Sequence, residues 1–249
     1  MQEIATIRQS LTEMLAAGTF YLGRWHTNEN YSDRPEVILG SFDDTMVLGL
    51  HWLPASDEFA IRVRDEVLTV PDIVSKRMIL STTASLYDPC GYIAPVIIVA
   101  KIIMQRAWKC AGVTWDAPLP EYLRDEWIGF VGQLKKLTEI RIPRWTRADE
   151  TGFISLHGFG DASEQAYGGV VYLRVETSDG CSCRLIAAKS RIAPTKQTSI
   201  PRLELCAVEL LSALMKKIKL AGRLQHVKAT MWSDSIVALQ WISEESRET

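Results

Sequence analysis

From Phe153 onward the apolar residues change period in an order that few folds can use. Three strand-like runs come first, Phe153 to Gly160, Tyr167 to Val175 and Cys183 to Lys189, and Thr177-Ser178-Asp179-Gly180 between the second and third carries the residues of a hairpin turn. A strongly periodic helix follows from Arg202 to Leu220, then a short strand from Val227 to Trp232, and Ser235 to Ile242 starts another helix. The order is β-β-β-α-β-α.

The preceding segment reads differently. Apolar positions recur at helical spacing in Ser75 to Leu80, and the pattern runs on into Ser85-Leu86-Tyr87. Asp88-Pro89-Cys90-Gly91 breaks it, because the residue before proline avoids the α region and glycine tolerates the turn. Further helices are expected from about Ile93 to Cys110 and from about Pro120 to Leu137. In the latter, Leu123, Trp127, Phe130, Val131, Leu134 and Leu137 form one stripe. Nearer the start, Ile4, Ile7, Leu11 and Leu15 mark a helix that Gly18 is placed to end. Val47 to Val63 reads as a β-hairpin turning on Pro54-Ala55-Ser56-Asp57. The polar stretch from Thr146 to Thr151 is the best boundary candidate. The fold class is α+β and α/β: a helical region with a β-hairpin, then the mixed β-β-β-α-β-α segment.

Composition narrows the functions. With 47% hydrophobic and 23% charged residues over 249 positions, a packed core is expected and a disordered or disulfide-dense chain is not. The net charge of -2 supplies no general field for a polyanion, so any contact with nucleic acid must use a local basic patch. The five cysteines are scattered, and Cys181-Ser182-Cys183 has no second Cys/His pair at zinc spacing. No basic leader with an apolar core opens the chain. Its longest apolar run, Ile93 to Met104, is interrupted by Pro95 and Lys101 and is shorter than the ~20 residues of a membrane span. An intracellular, cytoplasmic setting without a membrane partner is the expectation.

Three acids stand at ends of elements. Asp161 closes the first strand, Glu204 lies in the first turn of the long helix as read, and Asp234 closes the last strand. If the first and last strands are neighbours, both aspartates emerge at one sheet edge, where a helix on the face can bring the glutamate. Such a cluster of like charges needs cations, and oxygen ligands without thiolate or imidazole suit Mg²⁺ or Mn²⁺. Two ions ~3.5–4 Å apart would serve phosphodiester hydrolysis. Each acid alone also suits a quieter role: Asp161 in a turn, Glu204 favoured by the helix dipole, Asp234 as N-cap of the last helix.

Phe159 to Ser163, Glu204-Leu205-Cys206-Ala207 and Ser233-Asp234-Ser235 resemble the first three acidic motifs of the ribonuclease H fold. More narrowly, Ser85-Leu86-Tyr87-Asp88-Pro89-Cys90-Gly91-Tyr92-Ile93-Ala94-Pro95, together with Ile200 to Leu205, is similar to the Pol polyprotein of BEL/Pao retrotransposons. These are transposable elements whose cycle includes reverse transcription and DNA integration, and the region is often labelled Pao retrotransposon peptidase. The resemblance spans nearly the whole chain. It implies that residues 1–70 are the tail of a reverse-transcriptase palm with its hairpin, that residues 71–145 are a helical thumb or connection region, and that residues 150–249 are a truncated ribonuclease H-like domain. It further implies Asp161, Glu204 and Asp234 as catalytic metal ligands, RNA/DNA hybrid or duplex nucleic acid and the rest of Pol as partners, and Lys76, Arg77, Lys101, Arg106 and Lys109 as contacts to a duplex backbone. A solvated helix face accounts for those five cations equally well.

Some expected parts are missing. The Asp43-Asp44 pair lacks the residue that a reverse-transcriptase Tyr/Phe-x-Asp-Asp motif inserts, and is read as a loop. Asp-Thr-Gly and Asp-Ser-Gly are absent, so an aspartic peptidase has no chemistry here. A fourth ribonuclease H acid on a later helix is not matched by Glu244, Glu245 or Glu248, which makes the two-metal site incomplete and low activity the expectation. The alternatives are a non-catalytic nucleic-acid-binding remnant or domesticated module, and a purely structural remnant.

Overall fold

The computed structural model describes residues 2–22, 46–47, 50–148 and 151–245, with the side chains of 2–4, 46–47 and 244–245 left aside. The Asp43-Asp44 pair and Glu248 lie outside the described residues. Two compact units divide after Phe59.

In the first unit, helix α1 spans Gln2–Ala17. Gly18 follows it, but the left-handed residue is Thr19, at φ 64°. The N–H of Phe20 reaches back to the Leu15 carbonyl at 2.9 Å, so the glycine stands one residue before the position whose backbone favours it. Strand β1 (Met46–Val47) pairs antiparallel with β2 (Leu50–Leu53). The expected hairpin continues through a turn, where the Trp52 indole N–H donates to Asp57 Oδ1 at 3.0 Å, into β3 (Glu58–Ala60). Strand character ends at Ala60 rather than Val63.

The second unit begins with four helices: α2 (Asp65–Leu68), α3 (Lys76–Ser85), α4 (Ala94–Lys109) and α5 (Glu121–Leu134). The last turn of α5 tightens into a 3-10 segment, Lys135–Glu139, and a short strand β4 (Arg141–Pro143) follows. The expected stripe of α5 is its buried face: Leu123, Trp127, Val131 and Leu134 are at most 2% exposed, while Phe130 at its margin is half-buried. Ser75 caps α3 by accepting from the N–H of Met78 at 3.3 Å. The start of α4 is held by Asp88, whose two carboxylate oxygens accept from the N–H groups of Tyr92 and Ile93 at 2.7 and 2.8 Å.

The remainder realises the β-β-β-α-β-α order: β5 (Phe153–Ala162), β6 (Ala166–Thr177), β7 (Gly180–Ile192), α6 (Ile200–Ala221), β8 (Lys228–Trp232) and α7 (Ile236–Glu245). The sheet order is β7-β6-β5-β8, antiparallel except that β8 runs parallel to β5. A mixed α/β layer thus follows the helical region, as the change of period at Phe153 leads one to expect. Its core joins Leu156, Val171, Leu173 and Val175 from the sheet to Leu211 and Met215 from α6. The helix comes close because glycines face it; a Cβ on Gly158 would meet Leu211 at 2.8 Å, and one on Gly169 at 3.1 Å. The edge strand β7 is bound by the helical region: Ser190 Oγ donates to the Ala94 carbonyl at 3.3 Å, and Gln105 Nε2 to the Ala193 carbonyl at 2.7 Å.

Candidate metal centre

Register decides where the two aspartates meet. In the parallel pair of β5 and β8, Phe159 stands opposite Trp232. Two residues further along each chain are Asp161 and Asp234, so both emerge at the same end of the sheet. Helix α6 begins at Ile200, two residues earlier than its periodicity suggests, because Pro201 suits the first turn. Glu204 therefore sits just past that first turn, on the buried side of the helix and only 7% exposed. One carboxylate oxygen from each of Asp161, Glu204 and Asp234 lies within 4.8 Å of the others. Among the described residues this is the group of acidic, thiol or imidazole side chains placed to hold a metal ion.

The quieter roles open to the two aspartates are filled by neighbouring serines. The β5–β6 turn is organised by Ser163, whose hydroxyl accepts from the N–H groups of Gln165 and Ala166 and donates to the Ala166 carbonyl. Among the described residues, Asp161 Oδ1 accepts only the adjacent Ala162 N–H, at 2.7 Å. The N-cap of α7 is Ser235, accepting from the N–H of Ala238 at 3.3 Å, which leaves the Asp234 carboxylate unused for capping. Glu204 lies beyond the turn in which the helix dipole would favour it. Its Oε2 is buried without a hydrogen-bond partner among the described residues.

That orphaned oxygen is costly in a dry site. Burial pushes the Glu204 carboxyl above its usual range, and the charges of Asp161 and Asp234 push it further, against a smaller opposing effect of the Ala162 N–H. A divalent cation reverses both causes, since it supplies the missing partner and neutralises the repulsion. The residues present thus fit a hard cation.

Beside Asp161 a cavity of about 230 Å³ extends toward the helical region, lined by Ile98 of α4 as well as Ser163, Tyr167, Gly168 and Ser190. The five helical cations differ in their surroundings. Lys76 is only 5% exposed, donates through Nζ to the Val113 carbonyl at 2.7 Å and lies over the Trp108 ring. Arg77 pairs with Asp116 at 2.6 Å and Arg106 with Glu126 at 2.7 Å. Lys101 and Lys109 are exposed on α4. Sequence reasoning saw Asp88 only as a helix breaker; its capping bond was signalled by an acid a few residues ahead of the α4 start.

A family model described as the Pao retrotransposon-like RNaseH-like domain matches residues 75–235. No curated protein matches the sequence. Among the described residues, no helix is long and apolar enough to cross a membrane.

Proposed function

Because this chain belongs to the Pao retrotransposon-like RNaseH-like domain family, a region of retrotransposon Pol, we propose that it acts on RNA/DNA hybrids. In this reading Asp161, Glu204 and Asp234 hold Mg²⁺ or Mn²⁺ for hydrolysis of the RNA strand. The supporting observation is the buried, unpartnered Oε2 of Glu204 beside two aspartates. Bound divalent ions would supply water activation and stabilisation of the leaving oxygen in phosphodiester cleavage.

The chain's own residues prepare that chemistry. Packing of α6 on the glycine-bearing face fixes Glu204, the Ala162 N–H orients Asp161 Oδ1, and capping by Ser235 frees Asp234. All three carboxylates must be ionised to serve as ligands, and a cation favours the charged form of Glu204 that burial and the two aspartates oppose. Three carboxylates suffice to hold one ion, so ion uptake is the direct readout of the centre. We assign residues 1–70 to the end of a reverse-transcriptase palm, 71–145 to a thumb or connection region and 150–249 to the ribonuclease H-like domain.

The test titrates the chain with Mn²⁺ while following free ion by electron paramagnetic resonance, then presents a strand-labelled hybrid. Uptake that Asp161→Asn abolishes, with cleavage confined to the RNA strand, is the expected result. Hybrid binding by a chain that takes up no Mn²⁺ would replace the nuclease with a non-catalytic nucleic-acid-binding module.

A further inference from the structure

A hybrid approaching three clustered carboxylates meets repulsion, and the net charge of -2 offers no general attraction to offset it. The attraction must be local: in the helical region Lys76 is buried on a carbonyl and Arg77 and Arg106 are paired with carboxylates, which leaves Lys101 and Lys109 exposed on α4. Strand β7 offers two more cations, in register with the strand that carries Asp161. Lys189 and Arg191 are both exposed there, and neither has a carboxylate partner among the described residues.

Strand register places these two cations relative to the acids. Ala162 pairs with Tyr167, and Tyr167 pairs with Arg191. In the next row on the same side of the sheet, Gly160 pairs with Gly169, and Gly169 with Lys189. Directly paired residues share a side, and Gly169 faces α6, where its missing Cβ would meet Leu211. Lys189 and Arg191 therefore stand on the α6 side of the sheet, the side from which Glu204 comes, in rows adjoining that of Asp161, Gly168 and Ser190; where Gly160 meets Ala207 and Gly169 meets Leu211, the helix is one to two turns past Glu204. Two strand spacings separate them from β5, or about 10 Å at ~4.8 Å each. That span covers about three successive phosphates of one nucleic-acid strand, at ~3.4 Å of axis each.

We propose that Lys189 and Arg191 form a phosphate-binding strip that seats the backbone of the hybrid beside the acidic centre, with the half-buried ring of Tyr167 between them and the acids. The proposal rests on the hybrid-directed function above and assigns the electrostatic share of that binding to β7. The strip reads no sequence, because phosphate contacts position a duplex without distinguishing its bases.

The test compares the full-length chain with Lys189→Ala/Arg191→Ala and with a control, Lys216→Ala/Lys217→Ala. The control removes equal charge from exposed positions of α6, about 18 Å along the helix from Glu204 at ~1.5 Å per residue. Binding of a short RNA/DNA hybrid is measured over a salt series in Ca²⁺, and Mn²⁺ uptake is measured separately. The β7 variant should bind roughly tenfold more weakly, with a logarithmic salt dependence shallower by about two, while the control stays near the parent. Mn²⁺ uptake should be unchanged in both. Unaltered affinity and slope in the β7 variant, or an equal loss in the control, overturns the strip. A parent chain that takes up Mn²⁺ but binds no hybrid also overturns it and leaves the metal centre standing. Binding that depends on the strip in a chain without Mn²⁺ uptake keeps the strip and removes the nuclease.

Discussion

The backbone N–H of Ala188, in the edge strand β7, donates to the carbonyl of Cys90 at 2.8 Å, and Gly91 lies so close behind that a Cβ there would fall 1.8 Å from the Ala188 oxygen. The Asp-Pro-Cys-Gly break between helices is thus also the joint between the helical region and the sheet. Gly91 adopts φ 79°, a conformation that a side chain disfavours even in open space.

Gly91→Ala combines backbone overlap with an unfavourable φ. It should destabilise the second unit by about 3 kcal/mol, the sum of overpacking and left-handed strain. Urea denaturation checks this, with the midpoint falling while the slope is retained. A midpoint equal to that of the parent would mean the joint is looser than its geometry.

Asp88→Ala removes the acceptor for the N–H groups of Tyr92 and Ile93. The cost should be about 1 kcal/mol, typical of a lost helix cap. Asp88→Asn, which keeps one acceptor oxygen, should recover part of that loss in the same melt.

Saturating Mg²⁺ should raise the melting temperature, since a ligand held at about 100 times its dissociation constant adds about 2.7 kcal/mol. Asp161→Asn should abolish the rise. Calorimetric scans with and without the ion measure it, and an undiminished shift in the variant would place the ion elsewhere.

The pH dependence follows from the direction of the Glu204 shift. Burial, Asp161 and Asp234 raise its folded pKa above the unfolded value, so the folded chain binds the extra proton between the two. In the metal-free chain, stability from this group is therefore greatest below the ordinary carboxylate pKa and declines as pH rises through the raised one. Glu204→Gln should remove that decline. Saturating cation should remove it too, because the ion binds the ionised form. Denaturation midpoints measured across the acidic range, with the variant in parallel, decide the matter.

Lys76→Ala should act on stability rather than on nucleic acid, because its ammonium is committed to the Val113 carbonyl and lies over the Trp108 ring. Melting should shift downward while the salt dependence of hybrid binding stays that of the parent.

Element identity was legible in the sequence because it is local. Periodicity placed the three strands, the long helix, the short strand and the last helix in order, and the α5 stripe named its own buried face. Where the sequence reading slipped, the causes were also local but finer: Pro201 admitted two more residues to α6, and Thr19 took the left-handed position beside Gly18. The sequence by itself determined that three acids stand at the ends of elements in a β-β-β-α-β-α chain. It left open what each acid does there, since capping and dipole preferences fit every one of them singly. Only the tertiary structure decided that the three acids meet, through relations between distant positions: the parallel register of β5 with β8, the approach of α6 over side chains that glycines lack, and the capping role taken by Ser235. Burial of Glu204 without a partner is likewise a property of packing, which periodicity along one chain segment does not encode.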